Sequence, residues 1–444
     1  MKASKEEDRN LIYQLEGRPS LSVAVPLGLQ HVLAMFAGNL APIFIVAGIA
    51  GVSMQERVLM IQCAMLVSGL ATFIQLYPIK LGKNLQIGAN LPIVMGTAFA
   101  FVPTLSTIAA SYGIQAVFGG ILVGAFVEII MGLLIKPAKN IFSPVIIGAV
   151  LVTIGIKLLG IGANYFAGGV GASDFGSLEN LFLGSLVFLI VIVLQRYGKG
   201  FFKVTALLIG LVVGFIVALM MGKVDLTPVM EASWFTIPMP LYFKPEFRLD
   251  AIMAFAAVYI VSGLETLGNT SGITMAAFNR EATPSENQGA ILADAIGSQV
   301  AGLFNCLPNT AFGQNAGIVA MTKVVNKFCI AMGAAVLILA SIVPKVGAVF
   351  AAMPSSVLGG AVITVFAMIL INGFKMLAKA GFTEKNVLIL SVTFAIGYGL
   401  TALPEVTAHF HPFLQFIFSD AVASVCIVGI IANIFLNLLS HKKG

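Results

Sequence analysis

The segment NCLPNTAFGQNAGIVAMTK, residues 305–323, concentrates uncharged hydrogen-bonding side chains in an otherwise apolar chain. Four of these side chains are amides, those of Asn305, Asn309, Gln314 and Asn315. Amides both donate and accept hydrogen bonds, so the cluster can bind a polar ligand or can join packed helices. The proline and glycine of LPNTAFG predict an extended run and then a helix that begins near Gln314. The unpaired N–H groups of that helix would face a cavity.

Acidic side chains inside apolar segments are expensive and are functional candidates. Glu265 follows Asp250 by 15 residues, which places it roughly 22 Å along a helix. There its carboxylate can accept hydrogen bonds from a ligand or take a proton, whereas a shifted segment would leave it at the membrane interface. Asp294, within ILADAIGSQVAG, can take the same roles or can be the structural partner of a neighbouring polar group.

Two further side chains in apolar segments are functional candidates. His31, in PLGLQHVLAMFAGN, is either a satisfied core residue or a group that orients a carboxylate such as Asp294 or shares a proton with it. Phe99, in MGTAFAF, either packs against lipid and protein or stacks on a planar ligand.

Motifs for catalysis, nucleotide binding and metal binding are absent from the sequence. It contains no GxxxxGK[ST], HExxH or GxSxG, and its four cysteines are scattered without CxxC spacing. We therefore expect no enzyme activity, no cofactor and no metal site. The energy for any transport would come from an ion gradient or from the gradient of the substrate itself.

Composition defines the elements that must position these residues. The 444-residue chain is 59% hydrophobic and only 10% charged, with a mean hydropathy of +1.00. Soluble domains carry roughly 25% charged residues, so the chain is expected in a lipid bilayer. Apolar runs of the length of a spanning helix recur between residues 21 and 438, and we interpret them as about fourteen transmembrane segments.

The net charge of +6 comes from basic residues in short loops between the apolar runs. This is the positive-inside pattern, not a nucleic-acid-binding patch. With fourteen spans and both termini cytoplasmic, most basic residues fall in inner loops. The polar first 20 residues predict no cleaved signal peptide. The inner-loop residues would be Lys80, Lys83, Lys136, Lys139, Arg196, Lys199, Lys203, Arg280, Lys323, Lys327, Lys375, Lys379, Lys385, Lys442 and Lys443.

An internal repeat relates the two halves. SPVIIGAVLVT at 143–153 matches PSSVLGGAVIT at 354–364, and ANLPIVMGTAFAF at 89–101 matches NCLPNTAFGQNAG at 305–317. An offset of half the chain predicts two repeats of seven spans. Because seven is odd, the second copy is inverted in the membrane, as in secondary transporters. Interrupted polar segments at corresponding places in both halves predict broken helices that meet at mid-membrane.

The run QNAGIVAMTK at 314–323 resembles the signature of the nucleobase–ascorbate transporter family, also called nucleobase–cation symporters. Its fixed positions are met by Gln314, Asn315, Gly317, Thr322 and Lys323. The Gln30–His31 pair of span one, Glu265 of span eight and Asp294 of span nine match in order, so the resemblance covers essentially the whole chain.

The resemblance implies an all-α polytopic fold in which spans three and ten each join a short strand to a half helix. It also implies a core domain, residues 1–140 and 249–344, and a gate domain, residues 141–248 and 345–444. Members are commonly homodimers, and bacterial members are typically proton symporters in the cell membrane.

The resemblance also implies the site residues. Glu265 and Gln314 would grip a base, with backbone contacts near Gly313 and from Ala98–Phe99, and Asn315 belongs to the same binding segment. Asp294 and His31 would support proton transfer and site geometry, with Glu265 as the first candidate for the proton. Two positions depart from relatives: Ala98 stands where serine is frequent, and Asn269 stands where some relatives have an acid.

Gln314 bears on the substrate. Glutamine here is similar to xanthine and uric acid carriers, whereas glutamate is usual in uracil carriers and proline in ascorbate carriers. An amide can pair with a C=O/N–H edge through two hydrogen bonds, while Glu265 accepts from ring N–H groups. We expect import of xanthine or uric acid with a proton. The alternatives are a uracil or broad nucleobase permease and, more remotely, an inorganic anion exchanger or channel, which the acid at Glu265 disfavours.

Overall fold

The computed structural model describes residues 10–82, 85–134, 143–169, 171–410, 414–415 and 418–441. Most of them are helical. The helices are α1 (Leu21–Ile49), α2 (Met54–Leu76), α3 (Val102–Tyr112), α4 (Ile114–Leu133), α5 (Pro144–Phe166), α6 (Leu178–Tyr197), α7 (Phe201–Val204), α8 (Ala206–Met220), α9 (Thr227–Glu231), α10 (Leu249–Phe278), α11 (Pro284–Leu303), α12 (Gln314–Thr322), α13 (Lys327–Ser341), α14 (Pro344–Ala351), α15 (Ser355–Ala380), α16 (Glu384–Val392), α17 (Pro404–Thr407) and α18 (Ala421–His441).

Four short strands complete the fold. They are β1 (Ile79–Lys80), β2 (Gln86–Ile87), β3 (Met95–Thr97) and β4 (Asn309–Ala311), and they form two separate antiparallel pairs, β1 with β2 and β3 with β4. A 3₁₀ turn at Phe99–Phe101 joins β3 to α3, and a π-helical turn at Thr393–Tyr398 continues α16.

Eight helices in the described residues are long and apolar enough to cross a membrane, or nine if the bent pair α13 and α14 is one span. The other crossings of the predicted fourteen would use shorter helices, such as α8, or the half helices α3 and α12. The fold is therefore the expected polytopic helical one, while the count of fourteen stays a prediction. Lys83, Lys136, Lys139, Lys442 and Lys443, and both chain termini, lie outside the described residues.

Local sequence explains where several helices begin. Ser53 and Glu56 form a capping box at the start of α2, and Thr283 and Glu286 form another at the start of α11. In each box the hydroxyl accepts from the third helical N–H while the glutamate accepts from the cap N–H, so two otherwise unpaired donors are satisfied. Proline occupies the first position of α5 and α11, where its missing N–H costs nothing.

The β3–β4 pair lies buried at the centre of the helices. Met95 pairs with Ala311, Gly96 with Thr310 and Thr97 with Asn309, and all six residues are buried. Non-helical backbone at membrane depth must find partners within the protein. Helix side chains provide them at the outer edges of the two strands.

Asn39 of α1 is the central partner of β3. Its Oδ1 accepts from the Thr97 backbone N–H at 2.8 Å, the Thr97 hydroxyl at 2.9 Å and the Ser68 hydroxyl at 3.0 Å. On β4, the Asn309 N–H donates to the Ser298 hydroxyl, and that hydroxyl donates to the Asn309 carbonyl, both at 3.0 Å. The strands are thus bonded to α1, α2 and α11, which fixes their place between the helices.

The two halves of the chain repeat one order of elements. In the first half, two long helices precede β3 with α3, and then α4, α5, α6 and α8 follow. In the second half, α10 and α11 precede β4 with α12, and then α13, α15, α16 and α18 follow. The antiparallel pairing of β3 with β4 fits copies inserted in opposite directions.

Helix packing falls into two groups. In one, α10 and α11 pack on α4, and α13 packs on α1 and α2. In the other, α15 packs on α5 and α6, α8 packs on α6, and α18 packs on α5 and the π-helical turn. Gly148 and Gly359, which the repeat aligns, lie where α5 and α15 cross. A Cβ added to Gly359 would lie 2.1 Å from the Phe166 nitrogen.

Candidate functional site

A cavity of about 520 Å³ lies between the two packing groups. One wall is β3, β4, the start of α12 and the middle of α10, and the other wall is α6 and α15. Its size is that of a small-molecule pocket. The lining residues are Thr97, Phe99, Phe188, Ile192, Gln195, Glu265, Asn269, Thr310, Ala311, Phe312, Gly313, Gln314, Thr364, Val365, Ala367, Met368, Ile369, Ile371, Asn372 and Lys375.

Glu265 and Gln314 both face this cavity, from α10 and from the first position of α12. Glu265 is half-buried and Gln314 is exposed. Among the described residues, neither side chain has a hydrogen-bond partner, so a carboxyl and an amide are free to bind a ligand. The helix begins at Gln314, as the sequence predicts, and Gly313 and Gln314 at its start line the cavity. The next two N–H groups, those of Asn315 and Ala316, donate to the carbonyls of Phe312 and Gly313.

Phe99 and Gly313 also line the cavity. Phe99 is buried at 8% exposure and meets Phe366 of α15 edge to face, with ring centroids 5.6 Å apart. Asn269 donates to the Ala311 carbonyl at 2.7 Å, and a Cβ at Gly313 would lie 2.7 Å from its Oδ1. Glycine at 313 therefore lets α10 approach the turn that precedes α12.

Ala98 is fully buried and does not line the cavity, unlike its neighbour Phe99. Its backbone N–H donates to the Pro308 carbonyl at 2.8 Å. This differs from the expected backbone contact between Ala98 and a ligand, because the crossing chain segment already uses that donor.

The other amides of the polar segment join parts of the protein. Asn305 donates to the Met239 carbonyl at 2.7 Å and accepts from the Phe243 N–H at 3.0 Å, so it ties down the loop before α10. Asn315 bonds to His31 Nδ1 at 2.5 Å and donates to the Pro92 carbonyl. Asn315 is 2% exposed and is not among the residues that line the cavity, so its place in the binding segment stays a prediction.

His31 therefore holds the start of α12 in place through Asn315, and it does not bond to Asp294 as one hypothesis proposed. Asp294 lies behind the cavity wall and is completely buried. Its Oδ2 accepts from the hydroxyls of Thr266 and Thr310, the latter at 3.1 Å. Because Thr310 also lines the cavity, its hydroxyl lies between Asp294 and the cavity.

Sequence reasoning missed two charged residues at this site. Lys375, assigned to an inner loop, instead lies in α15 and lines the cavity together with Gln195 of α6. Glu128, in VGAFVEIIMG of α4, is completely buried and faces the region of Asp294. The rule that singled out Glu265, an acid in the middle of an apolar run, would also have found Glu128.

Known proteins resemble the chain in sequence and in fold. A family model described as the permease family matches residues 23–406. The chain belongs to the nucleobase–ascorbate transporter family. The family consists of transporters, so the protein is a transporter and not an enzyme, and it is a multi-pass membrane protein of a bacterial permease family.

Two Bacillus subtilis (strain 168) relatives carry names that state a substrate. The xanthine permease is 31% identical over 428 residues, covering 96% of each chain. The uric acid permease PucK is 35% identical over 380 residues, covering 85% of this chain and 87% of the relative. Members of the family matched here therefore include nucleobase permeases.

Solved structures share the fold at low identity. The transmembrane domain of the cyanobacterial bicarbonate transporter BicA aligns with a TM-score of 0.58 at 15% identity, covering 93% of this chain and 98% of that one. A murine anion transporter, Solute Carrier 26 family member A9, aligns with a TM-score of 0.63 at 11% identity, covering 96% and 72%. At such identity the likeness concerns the fold alone.

Proposed function

We propose that the protein imports a purine base, xanthine or uric acid, together with a proton. The observation that carries this proposal is that Glu265 and Gln314 line the same wall of one cavity, each with unused hydrogen-bonding groups among the described residues. The names of the two Bacillus relatives support the same class of substrate.

The chemistry of the two side chains fits a purine dione. Gln314 can donate to a ring carbonyl and accept from the neighbouring N–H, while the Glu265 carboxylate accepts from other ring N–H groups. Phe99 supplies an aromatic surface for the face of the base. Backbone N–H groups near Gly313, at the positive end of the α12 dipole, would favour the carbonyl oxygens or the partial negative charge of such a ligand.

Transport would occur by movement of one packing group against the other. The core domain comprises residues 1–140 and 249–344, and the gate domain comprises residues 141–248 and 345–444. The separate packing of α10 and α11 on α4 and of α15 on α5 supports this division. Because the cavity lies between the groups, sliding of the core would carry the bound base from one side of the membrane to the other.

The topology, the location and the assembly belong to the same proposal. Both termini would be cytoplasmic, which places the ends of α6 and α15 that carry Gln195 and Lys375 on the inner side. The protein would reside in the bacterial cell membrane as a homodimer, as the resemblance implies. Proton symport is proposed because intramembrane acids lie in and behind the cavity wall.

Uptake of radiolabelled xanthine by cells that express the chain tests the proposal. Unlabelled uric acid, uracil and guanine serve as competitors, with and without a protonophore. We expect uptake that the protonophore abolishes and that uric acid blocks but uracil does not. Recovery of unchanged xanthine from the cells separates a carrier from an enzyme that modifies the base.

The outcomes distinguish the alternatives. Competition led by uracil would assign the chain to a uracil or broad nucleobase permease and would contradict the argument from Gln314. Absence of any base uptake by well-expressed protein would favour an inorganic anion carrier. In that case labelled bicarbonate or chloride exchange is the next assay.

A further inference from the structure

Glu128 of α4 is a buried carboxyl that the binding site does not use. It is 0% exposed and lies at the contact of α4 with α10 and α11. Its surroundings include the Asp294 carboxyl, the Ser262 hydroxyl and, at longer range, Glu265. One Glu128 oxygen lies 3.4 Å from the position that a Cβ on Gly263 would take, so α10 packs directly on the carboxyl.

Neither oxygen of Glu128 is satisfied in the described part of the chain. Both lack a well-formed hydrogen bond, and so do Asp294 Oδ1 and the Ser262 hydroxyl. Ser262 is 1% exposed and Asp294 is 0% exposed, so water does not reach these atoms from the surface. A bare buried carboxylate without donors or a cation is strongly disfavoured, whereas a protonated carboxyl is neutral and supplies one donor of its own.

The groups that face the two carboxyls come from every element around them. From α10 they are Tyr259, Ser262, Glu265 and Thr266, from α11 Asp294, and from β4 Thr310. The strongest interactions at both carboxyls come from hydroxyls and from other acids, with no cation among them. Two carboxylates cannot both stay ionised in such a place, so the pair must hold a proton.

A chain of hydroxyls joins this pair to the cavity. Thr310 lines the cavity and donates to Asp294 Oδ2 at 3.1 Å, and its hydroxyl lies 3.3 Å from that of Thr266, which also bonds to Asp294 Oδ2. The opposite oxygen, Asp294 Oδ1, has no well-formed hydrogen bond among the described residues, and the Asp294 carboxyl interacts with the neighbouring Glu128 carboxyl. The cavity, Thr310, Asp294 and Glu128 thus form a continuous sequence of exchangeable groups.

We propose that Glu128 and Asp294 together hold the transported proton, with Glu128 as its resident carrier behind the base-binding wall. A proton from cavity water enters at the Thr310 oxygen while the hydroxyl passes its own proton to Asp294 Oδ2. Asp294 then shares a proton with Glu128 through Oδ1, and release reverses these transfers. Glu265 remains free to accept hydrogen bonds from the base. The transport role of the pair rests on the proposed function.

The first test is the variant Glu128→Gln, which keeps the size of the side chain and a donor for Asp294 but cannot exchange a proton. We expect counterflow exchange of labelled xanthine to persist. Net accumulation should fall to simple equilibration and should no longer respond to a protonophore. Glu128→Asp, which retains a carboxyl, should restore part of the accumulation. Glu179→Gln, an exposed acid in another part of the fold, is the matched control and should behave as wild type.

Infrared spectroscopy of the purified protein gives a readout that does not depend on transport. At neutral pH the wild type and Glu179→Gln should show the C=O stretching band of a protonated carboxyl. Glu128→Gln should lose that band, and Asp294→Asn should shift it. If the wild type has no such band that is lost in Glu128→Gln, the proposal is overturned. This comparison holds even if the variant has lost transport for another reason.

The transport assay supplies two further contradicting outcomes. Glu128→Gln that accumulates xanthine with the wild-type protonophore response would show that the proton travels elsewhere. Wild-type accumulation that requires sodium and ignores the protonophore would assign the site to another cation. If wild type takes up no base at all, the proposed function fails, while the infrared band still decides whether Glu128 holds a proton.

Discussion

At the residue scale, Glu265 and Gln314 differ from the polar side chains near them because no described residue bonds to their side chains. The Asn315 side chain is hydrogen-bonded to His31 and to the Pro92 carbonyl, and the Asn305 side chain is hydrogen-bonded to the loop before α10. A buried amide with all its groups bonded cannot bind a ligand without losing those bonds. Selectivity should therefore depend on Gln314 far more than on its neighbours.

Gln314→Glu is expected to reduce xanthine uptake strongly. A carboxylate cannot donate to a purine carbonyl, and losing a hydrogen bond while leaving its partner unsatisfied costs about 1–3 kcal/mol. This corresponds to roughly a tenfold to hundredfold fall in kcat/KM. Uptake kinetics with competing uracil measure the change. The matched control is Gln195→Glu, which adds the same charge to the opposite wall. An equal loss in both variants would indicate general repulsion and contradict a specific contact at Gln314.

The sequence predicted the elements around the candidate binding residues better than the partners of the neighbouring polar side chains. Pro308 and the glycine after it mark the end of one segment, so the extended run and the start of α12 could be placed in advance. The bond between His31 and Asn315 joins residues far apart in the chain and exists only through tertiary packing. A sequence shows that a buried amide needs a partner, but it does not show which group supplies it.

At the element scale, the crossing of α5 and α15 depends on small residues that the repeat places in both halves. Gly359 of α15 touches the α5 backbone at Phe166. At Gly160 of α5, by contrast, no atom of the described residues lies within 4 Å of an added Cβ. The two glycines therefore separate an effect of close packing from an effect of helix propensity.

Gly359→Ala is expected to destabilise the protein, since overpacking costs about 1–3 kcal/mol. Gly160→Ala should be neutral or slightly stabilising, by about 0.4–1 kcal/mol, because the unfolded chain loses freedom. The Tm of the purified protein in detergent measures both. A Tm for Gly359→Ala equal to or above that of Gly160→Ala would mean that the helices do not approach closely at this position.

An ion cluster outside the spans links two connections of the predicted gate domain. Lys223 pairs with Asp174 at 3.0 Å and also with Glu179. The hydrogen bond from Lys223 lowers the pKa of Asp174 below its usual range. A lowered carboxyl pKa gives stability that is present above the unfolded-state value and is lost as the pH falls through the folded-state value.

Lys223→Met should therefore lower Tm slightly at pH 7. The difference from wild type should begin to shrink near about pH 4 and should vanish below the lowered folded-state pKa of Asp174. Thermal unfolding across this pH range tests the prediction. Lys244→Met is the control, because Lys244 is exposed and has no ion pair within the described residues. A deficit of Lys223→Met that persists at the lowest pH would point to lost packing and not to lost charge.

At the scale of the whole molecule, a hydrogen bond closes one end of the cleft between the two packing groups. The Tyr165 hydroxyl at the end of α5 donates to the Phe44 carbonyl near the end of α1 at 3.0 Å. In the proposed topology this is the outer end, whereas the cavity extends toward the ends of α6 and α15 at the inner side. With that topology, the structure would represent a state closed to the outside.

Tyr165→Phe should favour opening to the outside. One hydrogen bond of about 0.5–1.5 kcal/mol corresponds to roughly a twofold to tenfold change in population. Labelling of a cysteine in the cavity wall, Ala367→Cys, with an impermeant maleimide added outside measures this opening, and the four native cysteines are buried. Tyr398→Phe, whose ring lies 6.0 Å from Lys157 Nζ, is the control. An unchanged labelling rate in Tyr165→Phe would contradict a latch at Tyr165.

The three-residue pairing of β3 with β4 has a consequence for biogenesis. The ribosome completes β3 long before β4, and at about 5–20 residues per second the delay is roughly 10 to 40 s. During that time the polar backbone of the first strand lies among inserted helices without the strand that will complete it. Side chains such as Asn39 and Thr72, made earlier still, are its first bonding partners. Membrane insertion of this protein thus requires that the first half wait, partly assembled, for the second.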